Sequence, residues 1–166
     1  MKLLNEAVNK IKGIEEKQKI NYRIDVSKHV EREYVSDDSI IIYIHKEINS
    51  IETKEDKENT INILTDRFGK LSSTISDYVE ERYLEALLRK MDIKKIKDAE
   101  TYVEFTIPRE YSSKLKGDEV LMAAYSISDA FNFGYKNYEF EITLNKRTKD
   151  KSWLYIMNKF LEKIII

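Results

Sequence analysis

Cysteine is absent from this 166-residue sequence, proline occurs once and glycine four times. Without cysteine there is no disulfide framework, no thiolate nucleophile and no cysteine-ligated zinc. Average chains carry about 7% glycine and 5% proline, so both helix breakers are depleted. That favours helices and leaves little material for glycine-rich phosphate loops. An excess of one charge sign is also lacking: 29 Lys and Arg face 30 Asp and Glu, a net charge of -1. This balance argues against a dedicated nucleic-acid or membrane-surface binder. No stretch approaches the ~18 apolar residues of a membrane span, and residues 1–12 carry no signal-peptide core. A cytoplasmic protein is the resulting expectation.

What is present predicts one α+β domain, a helix-rich N-terminal half followed by a small, mostly antiparallel sheet packed with helices. Met1–Lys12 reads as a short amphipathic helix stopped by Gly13, and Tyr22, Ile24 and Val26 give a weak strand signal. The run Ile40–Ile51 fits a buried strand or a helix. The stripe Ile41, Ile44, Ile48, Ile51 with Asp37 and Asp38 at its start favours helix. Glu55–Phe68 is a clearer helix, with Lys57, Ile61, Leu64 and Phe68 on one stripe and Gly69 as its terminator. Ser72 or Ser73 caps the next helix, which runs to about Met91 and is apolar over more than half its circumference. Val103, Phe105 and Ile107 alternate as a strand ended by Pro108. Asp118–Phe131 reads as a helix with Val120, Leu121, Ala124, Tyr125 and Ile127 inward. Tyr138–Leu144 is the cleanest strand, and Lys151–Ile164 closes the chain as a helix.

Several chemistries lack their residues. Gly69-Lys70 is the one Gly-Lys pair, but Leu64 and Leu71 occupy positions where a phosphate loop needs Gly and Ser or Thr. Asp118-Glu119 resembles a magnesium-binding pair, yet Ser113–Lys116 before it is no buried strand, so a helix N-terminus explains the acids better. His29 and His45 have no partner at metal or acid–base spacing. Packing is the better reading for His45. A hydrolase using paired carboxylates has no positive motif. The one basic cluster, 146–151, with Tyr135, Tyr138 and Trp153, fits either a solvated turn or a protein- or DNA-binding adaptor.

One stretch carries more. Leu64-Thr65-Asp66-Arg67-Phe68-Gly69 resembles the Leu-x-Asp-Arg-Phe-Gly signature of the C-terminal domain of bacterial transcription-repair coupling factors (the Mfd family). The following helix, ending Leu84-Glu85-Ala86-Leu87-Leu88-Arg89-Lys90-Met91-Asp92-Ile93-Lys94-Lys95-Ile96, is similar to that family's Leu-Lys-x-x-Ala-x-x-x-Gly-Ile-x-x-Ile pattern. Upstream, 30–51 resembles the family's extended segment and helix, and 5–13 its Glu-Ala-Val…Lys-Gly helix. The resemblance covers about 1–107. Glu31 and Ser72 stand at usual Pro positions, Asp92 at a usual Gly, His45 at a usual Tyr and Ile63 at a common Glu.

The resemblance implies a fragment. Residues 1–20 would be a helix and connector leaving the motor region, and 21–166 the C-terminal regulatory domain. It further implies a parent that hydrolyses ATP with magnesium, translocates DNA, removes stalled RNA polymerase and recruits UvrA for nucleotide excision repair. No catalytic residue and no cofactor would belong to this fragment. Its implied partner is the UvrB-like module of the same chain, with UvrA and RNA polymerase engaged indirectly. At about 100° per residue, Asp66 lies roughly 160° from the Ile61/Leu64/Phe68 stripe and Ile63 about 60° from Asp66. Asp66 is therefore expected outward, and the resemblance makes it the acid that meets arginines of the partner module. Ile63 on the same outer face fits either that docking patch or packing within the domain.

Overall fold

The computed structural model describes residues 37–148 and 151–165. The expected helix at Met1–Lys12 and strand at 22–26 lie outside the described residues, as do His29 and Glu31. Three helices come first: α1 (Asp38–Asn49), α2 (Lys54–Phe68) and α3 (Ser73–Lys90). Strands β1 (Ile96–Asp98) and β2 (Tyr102–Thr106) follow, then the short α4 (Arg109–Ser112) and α5 (Gly117–Tyr125). Strands β3 (Phe131–Lys136) and β4 (Glu139–Asn145) lead into α6 (Trp153–Ile164). The α+β expectation holds, with helices first and one antiparallel sheet after them, in strand order β1-β2-β4-β3.

The four long helices, α1, α2, α3 and α6, start where a side chain bonds the orphaned amides of the first turn. Asp37 accepts from the Ser39 N–H. Thr53 and Asp56 form a reciprocal capping box on α2. Ser72 caps α3 and Ser152 caps α6. Ser72 thus supplies by hydrogen bonding what proline supplies by a fixed φ. The isoleucine run is helical. Ile44 and Ile48 are fully buried, while Ile42 keeps 55% of its surface exposed because a helix cannot bury five consecutive residues.

The end of α3 explains Asp92. The Ile93 N–H donates to the Leu88 carbonyl (2.9 Å) and the Asp92 N–H to Arg89 (3.0 Å), with φ 55° at Asp92. This is a Schellman termination, and its left-handed residue is ordinarily Gly. Ile93 and Leu88, both buried, make the accompanying apolar contact.

Alternation sets the sheet. Val103 and Phe105 on β2 are in register with Leu144 and Ile142 on β4, and Phe131 on β3 with Leu144. These side chains are buried against α5 and α6, while Glu104, Thr106, Glu141 and Thr143 face the other side. Phe131 meets Phe160 of α6 at 4.8 Å between ring centroids. Ser112 bridges α4 to the sheet, donating to the Ile107 carbonyl (2.9 Å) and accepting from the Phe140 N–H (3.3 Å).

Four details differ from the sequence expectation. The helix expected over Asp118–Phe131 stops at Tyr125, and Phe131 opens a strand the sequence reading did not anticipate. Ser128 accepts the Ala130 N–H (3.1 Å), making the turn that leads from the helix end into the strand. On α5 only Val120 and Ala124 are buried. Leu121 and Tyr125, expected inward, are 39% and 58% exposed because a nine-residue helix packs a single narrow face. Tyr138, expected as the first residue of β4, sits in a two-residue turn with Asn137, at φ 64° and 55°.

Within the helical layer lies a buried ion pair. Lys57 of α2 pairs with Glu80 of α3 at 2.7 Å, with side chains only 9% and 11% exposed. Asn158 of α6 donates to the Glu80 carboxylate (2.7 Å) and to its backbone carbonyl (2.9 Å). The Lys57 ammonium also lies 5.0 Å from the Tyr83 ring centroid. Burial, and then the hydrogen bond to Glu162, push the Tyr83 hydroxyl above its ordinary value of 10.0.

Two outcomes are expected. Asp92→Gly should stabilise the domain by about 0.5–1 kcal/mol in urea denaturation, since glycine adopts the left-handed conformation without a Cβ penalty. Glu80→Ala should cost about 3–5 kcal/mol by leaving Lys57 buried and uncompensated, and Lys57→Met with Glu80→Met together should recover more than half of that loss.

Candidate functional site

The C-terminal end of α2 carries the residues the sequence singles out. Leu64 is fully buried, and Ile61 and Phe68 pack half-buried against the same core. Asp66 is exposed, and Ile63 is 37% exposed. Both therefore stand on the outer side of α2, away from Leu64. The Arg67 guanidinium lies 5.0 Å from the Tyr43 ring centroid of α1. That contact fixes a side chain otherwise free in water. Gly69 ends the helix at φ 80°, donating its N–H to the Thr65 carbonyl (2.9 Å). A methyl group at Gly69 would meet nothing within 4 Å, so its requirement is conformational rather than steric.

The neighbouring surface is tied down by polar contacts between helices. His45 Nδ1 lies 2.9 Å from the Tyr78 hydroxyl, which donates to Asn49 Oδ1 at 3.3 Å. His45 thus holds α1 on α3. Arg82 pairs with Glu52 in the α1–α2 connection, donates to the Asn49 carbonyl (3.1 Å) and approaches Glu85 at 3.6 Å. The sequence did not show that Tyr43 lies under Arg67. Both residues are visible in it, but their contact depends on how two helices pair.

Other candidates are dispersed. Asp118 and Glu119 are exposed at the start of α5, which is preceded by α4 and a loop rather than a buried strand. In the basic turn, Lys146 pairs with Asp98 and lies 5.3 Å from the Trp153 ring centroid. Lys151 lies 5.4 Å from the Tyr155 ring centroid. Tyr135 and Tyr138 sit at the opposite end of β4, about 20 Å along a strand of this length. Of the three aromatics proposed to stack bases, Trp153 meets the basic turn, whereas Tyr135 and Tyr138 are not brought together with its cations. Among the described residues no group of three or more His, Asp or Glu could hold a metal ion, and no helix is long and apolar enough to cross a membrane.

These features define a small helix-and-sheet module whose buried polar groups serve packing and whose singled-out residues form a surface. The family model that matches it is the TRCF domain, over residues 24–117. The match spans more than half of the chain, and the chain belongs to that family. It is similar to the transcription-repair-coupling factor of Staphylococcus haemolyticus (strain JCSC1435), 26% identical over 156 residues, covering 92% of this chain and 13% of that protein. It is also similar to the transcription-repair-coupling factor of Staphylococcus epidermidis (strain ATCC 12228 / FDA PCI 1200), 25% identical over 167 residues, covering 98% and 14%. The chain thus spans about one-seventh of the length of these relatives. A crystal structure of the C-terminal domain of transcription-repair coupling factor shares the fold, with a TM-score of 0.65 and 19% identity over 85% of this chain and 87% of that one.

The division between core and surface on α2 is measurable. Leu64→Ala should cost about 3 kcal/mol by opening a cavity. Arg67→Ala should change stability by no more than about 1 kcal/mol. Chemical denaturation of the two variants side by side checks both values.

Proposed function

We propose that this chain is the regulatory C-terminal domain of a transcription-repair coupling factor and acts by docking, without chemistry of its own. The outer end of α2, with Asp66 beside Ile63, meets arginines on the UvrB-like module of the same protein. Docking covers the surface that recruits UvrA and restrains the ATP-driven motor until RNA polymerase is engaged. The observation that carries this reading is the exposed carboxylate of Asp66 on a helix whose opposite side is locked into the core, in a chain of this family.

The energetics suit a switch. A charge-assisted hydrogen bond contributes about 1.5–3 kcal/mol, enough to bias a two-state equilibrium 10- to 100-fold without making it irreversible. Ile63 adds apolar contact where the family commonly has a second acid. This shifts part of the docking energy from charge to burial and makes it less sensitive to salt.

In the full-length parent, deletion of 21–166 should raise both UvrA binding and basal ATPase activity. Asp66→Arg should move the closed-to-open ratio about 10- to 100-fold in the same direction, with the thermal melt of the domain unchanged. A deletion that alters neither UvrA binding nor ATPase activity would overturn the reading.

A further inference from the structure

The sheet ends on one side at β3, and no described strand pairs beyond it. Lys136 and Glu139 flank the two-residue turn Asn137–Tyr138, whose positive φ values at both positions are those of a type I′ hairpin. In such a hairpin the flanking pair exchanges both hydrogen bonds, and bonded pairs recur at every second residue. Lys136, Gly134 and Asn132 therefore turn their N–H and C=O groups toward β4. Phe133 and Tyr135 turn theirs to the open side. The usual protections of an edge are thin here. The strand has no proline, its register runs unbroken, and its single lysine is the last residue.

Beside this edge runs an apolar trough of about 580 Å³ between α5 and the hairpin, whose walls include Leu121, Phe133, Tyr135 and Phe140. Tyr125 stands edge-on to Phe133 with centroids 6.0 Å apart. Tyr125 and Tyr135 keep 58% and 61% of their surface exposed. Among the described residues, backbone groups with no strand partner and exposed aromatic surface thus coincide on one border of the domain.

We propose that this border is an interface between two copies of the chain, β3 pairing antiparallel with β3 of the second copy about a two-fold axis at Gly134. The register follows from which groups point outward. Phe133 faces Tyr135 of the copy, and this pair exchanges the open-side hydrogen bonds twice by symmetry. Gly134 faces its own equivalent, so no side chains collide on the axis. Asn132 faces Lys136 of the copy, so no like charges oppose across the new ladder. On the outer face the Glu141 carboxylate overlies Gly134, where a Cβ would lie 3.0 Å from Oε2. The copy's Lys136 is the cation diagonally opposite it.

A tyrosine carries about 200 Å², so the exposed parts of Tyr125, Tyr135 and Leu121 offer roughly 300 Å² per copy. With the strand backbone and the hairpin tip added on both sides, the interface reaches roughly 1,000 Å², the low end for specific association. The dimer is accordingly weak and concentration-dependent. It makes no use of Asp66 and stands independently of the docking reading.

Sedimentation equilibrium of the 166-residue chain between about 5 μM and about 1 mM should show monomer giving way to dimer. Amide hydrogen exchange over the same range should show Phe133 and Tyr135 slowing at least about tenfold, while Asn132 and Gly134, bonded within the hairpin, do not change. Tyr135→Lys, at a position already exposed in the monomer, should weaken the dimer at least about tenfold with unchanged circular dichroism. A monomer throughout, or a dimer indifferent to Tyr135→Lys, overturns the proposal. So does a chain that stays monomeric while an added peptide of the β3 sequence protects the Phe133 and Tyr135 amides. That last outcome would make the edge a receptor for a strand other than its own copy.

Discussion

A lysine carried into an apolar interior fixes how three helices of this domain meet. Lys57, Glu80 and Asn158 come from α2, α3 and α6, and each satisfies part of another. Moving an ion out of water costs several kcal/mol unless partners replace its hydration. Most alternative rotations of α2 would leave Lys57 or Glu80 alone in that interior. The contact therefore contributes less to total stability than to the selection of one arrangement.

The same contact determines what α2 shows to solvent. Asp66 follows Lys57 by nine residues, which at 100° each places it about half a circumference away. With Lys57 held inward, Asp66 has to face outward, and Leu64 and Phe68 fall on the buried side. Tyr43 then comes within reach of Arg67 because α1 is itself fastened to α3 through His45, Tyr78 and Asn49. A surface of a few residues is thus positioned by polar contacts far larger in energetic consequence than any contact within it.

Residues whose role is local were readable in the sequence. The stripe of α2, its terminator Gly69, the cap of α3 and the alternation of β2 and β4 depend on near neighbours. The departures Ser72 and Asp92 are also explained locally, by a cap and a left-handed helix end, whereas His45 acts through an interhelix hydrogen bond to Tyr78. Strand β3 was hidden because Phe131 continued the apolar pattern of α5, and only pairing with β4 makes it extended. Lys57 stood on the apolar stripe in plain view, but its meaning depended on Glu80 and Asn158, 23 and 101 residues further along. The position of Asp66 on the outer side of its helix was legible, whereas Tyr43 beneath Arg67 was not, since helix pairing is a tertiary outcome.

The placement of Asn158 has a consequence for how such a chain is made. Ribosomes release residues in order, so α2 and α3 are complete while the last partner of Glu80 is still unsynthesised. Until α6 arrives, the Lys57–Glu80 pair lacks its amide, and the aromatic wall around Phe131 lacks Phe160. The nascent domain must therefore wait in a looser, hydrated state, and its final closure coincides with the arrival of twelve residues.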